Sequence, residues 1–387
     1  MLRTKMASDF HKAPKAWAQI KHSILGNYLS LLLGKLGRNP IFCVDGFAGQ
    51  GRLDDGSEGS PLIAAKLAAS PSQPSRKGIL HCINVEADET VFANLEESTA
   101  DYVKLGLVKN RRGHFDELLP SILHDLGDAT AFFFIDPFGT EGAELETIKT
   151  IASRRGKTEI LVRYDDTRVK RLIMWATNNA DSFDESHRKT SMAFRSRIDQ
   201  LTDEQAANEV QSALIGDELL DRTALIEGYT RLVKATTSLR LSLSYPIRNP
   251  ETKGHRYYLV HFCKHPDGYI HMANFMAKVE RSVEGTSVGE LFGAARSQME
   301  FMAVNEHLAE QKRNESIEMI REVLPTIWVK RGWLKGRVQN RDLYAAIVDE
   351  FGWKVLRSEY IAALRDHAKA GYIQMTSSKD DDYTDIH

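Results

Sequence analysis

Two short stretches carry side chains suited to chemistry. The first is "VDGFAGQG", Val44 to Gly51, where Asp45 closes an apolar run and Gly46, Phe47, Gly49 and Gly51 follow. Glycines this close together let a backbone turn sharply and approach a ligand with no side chain in the way. The second is "FFFIDPFG", Phe132 to Gly139, where a carboxylate, a proline, a ring and a glycine follow another apolar run. Asp136, Pro137, Phe138 and Gly139 fall at the carboxyl end of a central strand, where ligands bind in open α/β sheets. The two acids, Asp45 and Asp136, stand about 90 residues apart.

The glycine spacing is neither G-x-G-x-x-G nor G-x-x-x-x-G-K-[ST], which argues against a dinucleotide fingerprint and excludes an NTPase phosphate loop. A structural βα turn remains open. The pattern D-x-F-A-G-x-G resembles the methyl-donor loop of nucleic-acid methyltransferases. D-P-F-G is related to the D-P-P-Y and N-P-P-F motifs of amino-methyltransferases, from which it departs by losing the second proline; the resemblance implies that Asp136 and a backbone carbonyl beside Pro137 accept hydrogen bonds from a base amine and that Phe138 stacks on the base. The same motif resembles the D-P-F-G of the tRNA guanine-N2 dimethyltransferases. On that likeness S-adenosylmethionine is the expected cofactor. Glu86, at the end of the second strand, is placed to take the ribose hydroxyls of an adenosyl ligand, with Asp88 in reserve. Either acid reads equally as a solvated helix cap. In "GHFDELLP", Asp116 is positioned to accept the adenine amine and Phe115 to pack on its ring, though Asp116 also reads as an N-cap.

Other chemistries fit less well. None of the three cysteines follows a proline, so a 5-methylcytosine mechanism is excluded. No metal-ligand spacing is present; His261, Cys263 and His265 read as strand residues. "RYDD", with Asp165 and Asp166, is the only hint of a nuclease, and it lacks a matching E-x-K.

These residues need a sheet to bring them together. Apolar residues three or four apart from Trp17 through Ile20, Ile24, Tyr28, Leu31 and Leu32 predict an entry helix. "NPIFCVDGFAG" reads as a strand, then "SPLIAAKLAAS" as a helix with Ser60 at the N-cap and Pro61 at its first position. The loop "RLDDGSEG" between them sets that helix about eight residues beyond the glycines. Strands and helices then alternate to "TEILVRYDD", which argues for a doubly wound α/β domain. "AFFFIDPFG" is the kind of run buried on both faces of a parallel sheet. Residues from 165 to about 240 read as a helical insertion, and "LRLSLSYPIRN" and "HRYYLVHFCKH" as an antiparallel strand pair.

The 387 residues suffice for one large core and a smaller domain. No apolar run has membrane-spanning length and no secretory leader is evident, and the sparse, odd cysteine set suggests a reducing, cytoplasmic setting. Net charge is −2, so any nucleic-acid surface must be local. One basic cluster runs from Arg154, Arg155 and Lys157 through Arg163 to Arg168, Lys170 and Arg171; another is "VKRGWLKGRVQNR". After about residue 315 three helices and a short strand outline a winged helix. Lys330, Arg331, Lys335, Arg337, Arg357, Arg365 and Lys369 are its candidate phosphate contacts, with protein docking as the rival use. The tail "KDDDYTDIH" reads as disordered.

In order along the chain, "KHSILGNYL", "FCVDGFAGQGR", "GSPLIAAKLA", "FFFIDPFG" and "YYLVHFCKHPDGYIHM" are similar to the blocks of the three-Cys-motif partner proteins. That resemblance covers most of the chain outside about 175 to 225. It implies a methyltransferase-like fold, a bacterial or phage setting and a partner bearing three cysteines. The expected layout is a Rossmann-like α/β methyltransferase domain over 1–310 with a mostly helical insertion, a winged helix over 311–378 and an acidic tail over 379–387. The leading expectation is methylation of a base amine in DNA or RNA. The alternative is a non-catalytic nucleic-acid or protein-binding partner.

Overall fold

A computed structural model describes residues 16–35, 39–70, 79–137, 139–180, 184–215, 223–248, 255–284 and 306–387. The chain divides into two units, Met1–Lys264 and His265–His387.

The first unit opens with helix α1 (Ala16–Lys35), then strand β1 (Pro40–Asp45), α2 (Ser60–Ala69), β2 (Ile79–Glu86), α3 (Glu89–Lys104) and β3 (Val108–Arg112). It continues with α4 (Phe115–Leu126), β4 (Thr130–Ile135), α5 (Leu145–Ala152) and β5 (Thr158–Tyr164). Four helices follow, α6 (Asp166–Asn178), α7 (Glu185–Ile198), α8 (Glu204–Ile215) and α9 (Thr223–Thr236), before β6 (Leu241–Arg248) and β7 (His255–Cys263). The seven strands form one sheet in the order β3-β2-β1-β4-β5-β7-β6, and β7 alone runs opposite to the other six. This is a Rossmann-like α/β fold.

The strand order has one consequence for the site. β1 pairs with β2 on one side and β4 on the other, so chain direction across the sheet reverses at β1. At such a reversal the loops leaving the two strands diverge, and a crevice opens at their carboxyl ends. Asp45 ends β1 opposite Phe134 of β4, and Asp136 follows β4 directly. The apolar run of β4 is buried on both faces, as its composition requires.

α1 anchors to the sheet through its buried stripe. Tyr28 lies 5.4 Å from the Phe132 ring and 5.5 Å from His261. Its hydroxyl donates to Glu159, whose carboxylate also meets His261 Nε2 at 2.9 Å. The helices between β5 and β6 join the same core: Tyr164 and Tyr229 stack at 4.5 Å, and the Tyr229 hydroxyl donates to the Ala143 carbonyl at 2.7 Å.

Local expectations differ from the structure in several places. Gly59, not Ser60, is the N-cap of α2. The Ser60 hydroxyl instead donates to Asp45, a buried carboxylate with the stronger need for a donor. The cluster around Arg154 is not one basic surface. Arg154 is buried and donates to the carbonyls of Gly127 and Ala129, and Arg163 turns inward onto the Tyr257 ring. Asp165 and Asp166 serve the fold: the first caps α6 through the Arg168 amide, and the second meets His255 Nε2 at 2.7 Å.

The second unit contains α10 (Pro266–Glu284), α11 (Glu306–Arg331), β8 (Gly336–Gln339), α12 (Asn340–Phe351), α13 (Arg357–Lys369), β9 (Ile373–Met375) and β10 (Tyr383–Ile386). It begins at His265, well before the expected boundary at 311, because α10 packs on α12. The acidic tail is not disordered. Tyr383–Ile386 is the central strand of an antiparallel sheet ordered β8-β10-β9. Thr384 is fully buried and donates to Asn340 Oδ1 at 2.7 Å, while Asn340 donates to the carbonyls of Ser377 and Lys379. The aspartates before it find cations: Asp380 pairs with Arg357 and Asp381 with Arg341. Among the described residues no helix is long and apolar enough to cross a membrane.

Removing residues 383–387 leaves β8 and β9 with no common neighbour and Asn340 Oδ1 unpaired. Amide exchange across β8, β9 and α12 is expected to accelerate at least tenfold while the seven-stranded sheet keeps its protection. Unchanged exchange in β8 and β9 would refute a structural role for the tail.

Candidate functional site

The turn after β1 is stitched to both flanking strands. The Gly46 amide donates to Phe134 O at 3.0 Å and the Ala48 amide to Val85 O at 2.9 Å. A side chain at Gly46 would sit 3.0 Å from the Phe115 ring, so the close packing there needs glycine. Gly49 has φ +67°, and no atom lies within 4 Å of where its Cβ would be. This is the point at which the left-handed turn presents bare backbone to open space. Gly51 has the opposite surroundings: a Cβ there would lie 2.2 Å from Ser98 Oγ, which donates to Gln50 O. Phe47 packs on Phe115 with ring centroids 5.8 Å apart.

Glu86 closes the turn from β2. Its carboxylate accepts the Gly49 amide at 3.0 Å and the Asp88 amide at 2.9 Å, which holds both oxygens at the tip of the strand. Asp88 is the N-cap of α3, accepting from Thr90 and Val91, and so has the capping role. The loop from Arg52 to Gly59 does not carry α2 away from the glycines. Arg52 and Glu58 form a β-bridge, and the Gly59 amide donates to Gly51 O at 2.7 Å. The extra residues form a side loop that closes back on Gly51.

Asp45 and Asp136 share a charge cluster shielded from solvent. Asp45 is 3% exposed; its Oδ1 accepts the Phe47 amide at 3.2 Å and its Oδ2 has no hydrogen-bond partner among the described residues. Burial pushes its pKa up to about 6, the Asp136 charge adds to this, and Ser60, the Phe47 amide and Lys21 act the other way. Asp136 Oδ2 accepts from the Lys21 ammonium, with the two side chains 11% and 14% exposed. Asp136 Oδ1 has no hydrogen-bond partner among the described residues; the Arg163 guanidinium stands 3.9 Å away. Arg163 is itself held between Asp165 at 3.5 Å and the Tyr257 ring, 4.2 Å from the ring centroid. Pro137 and Gly139 are buried beside Asp136. Phe138 lies outside the described residues.

Lys21 went unread in the sequence because a lone lysine in an amphipathic helix looks like surface. Its spacing held the signal: Ile24, Leu25, Tyr28 and Leu32 follow at helical intervals, so Lys21 lies on the buried face of α1.

Asp116 sits exposed in the first turn of α4 without capping it; the N-cap is His114. It lines a cavity of about 640 Å³ together with Phe47, Phe115, Glu141, Glu144 and Arg197. Glu144 and Arg197 pair at 2.8 Å across its wall, which ties the insertion to the loop after β4.

In the second unit most of the expected phosphate contacts are already paired. Lys330 meets Glu350 at 2.9 Å, Arg331 pairs with Asp349, Arg357 with Asp380 and Lys369 with Asp366 at 3.2 Å. Arg337 stacks on Tyr383 at 4.4 Å. Lys335 and Arg365 make no ion pair among the described residues. The acids that neutralise the others come from the same unit, two of them from α12 and one from the tail.

No protein-family model matches the chain and no curated protein matches it. Solved structures do. Protein LPL1258 of Legionella pneumophila is similar at 14% identity and TM-score 0.37, covering 73% of this chain and 95% of that one. The O-methyltransferase TomG of Streptomyces achromogenes, solved with SAM, is similar at 12% identity and TM-score 0.32, covering 65% and 91%. An O-methyltransferase of Bacillus cereus, solved with SAH, is similar at 15% identity and TM-score 0.31, covering 62% and 80%.

Asp45 makes stability depend on pH in a defined direction. Its pKa in the fold, about 6, lies above the ordinary 3.8, so the folded state binds the proton more tightly and stability declines as pH rises from about 4 through about 6. A two-unit shift corresponds to about 3 kcal/mol. Asp45→Asn mimics the protonated form and should match the wild type near pH 4 while exceeding its denaturation free energy at pH 7.5. An equal difference at both pH values would exclude the buried charge as the cause.

Proposed function

We propose that the first unit binds S-adenosylmethionine and transfers its methyl group to the exocyclic amine of a base in DNA or RNA. The observation that carries this reading is the pairing of two unlike carboxylates across one glycine turn. Glu86, half-buried, is bonded to the turn itself; Asp136, with its side chain 11% exposed, has an acceptor oxygen left open.

The residues present suit the cofactor. Bare backbone at Gly49 faces open space, Glu86 offers carboxylate oxygens to a diol, and the unpartnered Oδ2 of Asp45 suits an ammonium group. Phe115 and Asp116, on the wall of the 640 Å³ cavity, supply a ring face and an acceptor for an adenine. Bound S-adenosylmethionine supplies an electrophilic methyl group. Asp136 then orients the amine so that its lone pair points at that methyl, which is catalysis by positioning. Phe138 is the ring proposed to stack on the base after it leaves its helix. The second unit, whose elements from α11 onward run helix–strand–helix–helix–strand–strand as in a winged helix, is proposed to bind the polymer. The three-Cys-motif resemblance adds a cysteine-bearing partner and a bacterial or phage modification or defence role.

A second reading is favoured by one observation. Lys21 already satisfies one oxygen of Asp136, and Glu86 already satisfies backbone amides, so the site is stable with no ligand. In that reading the chain is a non-catalytic adaptor for nucleic acid or protein.

Calorimetry with S-adenosylmethionine should show binding that Glu86→Ala weakens by roughly 10- to 100-fold, the scale of lost hydrogen bonds to a charged group. Asp136→Ala should keep cofactor affinity within about threefold and lose methyl transfer. Absence of binding, with and without DNA or RNA, would overturn the enzymatic reading. Survival of the biological activity in Asp136→Ala would favour the adaptor.

A further inference from the structure

We infer that Lys21 reads the ring nitrogen next to the amine held by Asp136, so that the site takes an amidine edge, an amino group beside an unprotonated ring nitrogen, as adenine and cytosine present. This rests on the reading of Asp136 as an amine acceptor and adds the residue that selects the base.

Three observations carry it. The Lys21 ammonium donates to Asp136 Oδ2, and among the described residues it has no other hydrogen-bond partner, which leaves N–H groups beside that carboxylate. Among the described residues, Oδ1 of the same carboxylate is buried with no hydrogen-bond partner. The neighbouring cation, Arg163, is 3.9 Å from Oδ1 and fixed by Asp165 and Tyr257, so it is not arranged to fill that acceptor. The pair therefore offers one unpaired, buried acceptor next to the remaining donors of a largely buried ammonium, the two side chains being 11% and 14% exposed. An unmet buried acceptor is costly, and a ligand that meets it gains accordingly.

The complementary ligand has a donor next to an acceptor. Adenine presents its 6-amine beside N1, and cytosine its 4-amine beside N3. An amine N–H would donate to Asp136 Oδ1 while the ring nitrogen accepts from Lys21. Guanine's Watson–Crick edge fails this test, because a protonated ring nitrogen stands beside its 2-amine and would face the ammonium; its one matching edge, the 2-amine with N3, lies on the side of the sugar. Rejecting a misplaced donor is a strong form of selectivity because it leaves buried polar groups unpaired. A hydrogen bond to the ring nitrogen also draws electron density from the amine. Its use is therefore in binding and orientation, and its loss should appear in KM more than in kcat.

The experiment pairs an atom change in the base with one in the protein. Single strands carrying one adenine or one 1-deazaadenine, and one cytosine or one 3-deazacytosine, are compared with intact protein. Binding is read by fluorescence anisotropy and methyl transfer by nucleoside analysis after incubation with labelled S-adenosylmethionine. The wild type should prefer the natural base by roughly 10- to 100-fold, seen mostly in KM. Lys21→Met should bind both members of a pair alike while its calorimetric affinity for S-adenosylmethionine stays within about threefold, which shows that it is folded. Whether the preference appears in the adenine pair or the cytosine pair identifies the base. Label in guanine, no discrimination by the wild type, or no label in either base by a protein that binds the methyl donor would each overturn the assignment. A wild type that binds no methyl donor would instead overturn the underlying methyltransferase reading.

Discussion

Two carboxylates set side by side at the carboxyl edge of the sheet, both largely withdrawn from water, constrain much of what surrounds them. Asp45 and Asp136 end or follow neighbouring strands, and the charge on Asp136 raises the cost of ionising Asp45. Burying one carboxylate without compensation is expensive, and burying two is more so. The local structure answers this demand. α1 crosses the sheet far enough to bring Lys21 to Asp136, Arg163 turns inward from β5, and Ser60 gives up its capping hydroxyl to Asp45. The anchor of α1 through Tyr28, Glu159 and His261 then has a functional consequence, since it sets the position of Lys21.

That neutralisation is incomplete. Among the described residues, one oxygen on each acid, Asp45 Oδ2 and Asp136 Oδ1, is left without a hydrogen bond, whereas the buried Asp166 finds His255. The glycine turn between Asp45 and Glu86 supplies the complementary feature, bare backbone facing open space at Gly49.

The second unit applies the same principle in the opposite sense. Its cations are largely consumed by its own acids, and the tail aspartates neutralise Arg357 and Arg341 while Thr384 closes the polar node at Asn340. Of the expected basic set, Lys335, Arg337 and Arg365 make no ion pair among the described residues.

The elements that depend on short-range pattern were legible from the residues alone. β1, β4 and β5 announce themselves as apolar runs, the glycines and acids punctuate strand ends, and the helical insertion shows its period. Asp45, Glu86, Asp116 and Asp136 were each readable as strand-end or helix-start acids. What the sequence could not decide was partnership, because pairing free energy depends on distance in space and on local dielectric. Lys21 meets Asp136 across 115 positions of sequence, the Arg52–Gly59 loop closes on itself, and a tail of acid residues becomes a central strand once basic neighbours and an open sheet edge are in place. Sequence by itself determined which groups stand at the ends of strands; tertiary structure decided which of them are neutralised and which remain open, since only burial makes an unpaired charge costly enough to dictate where its neighbours go.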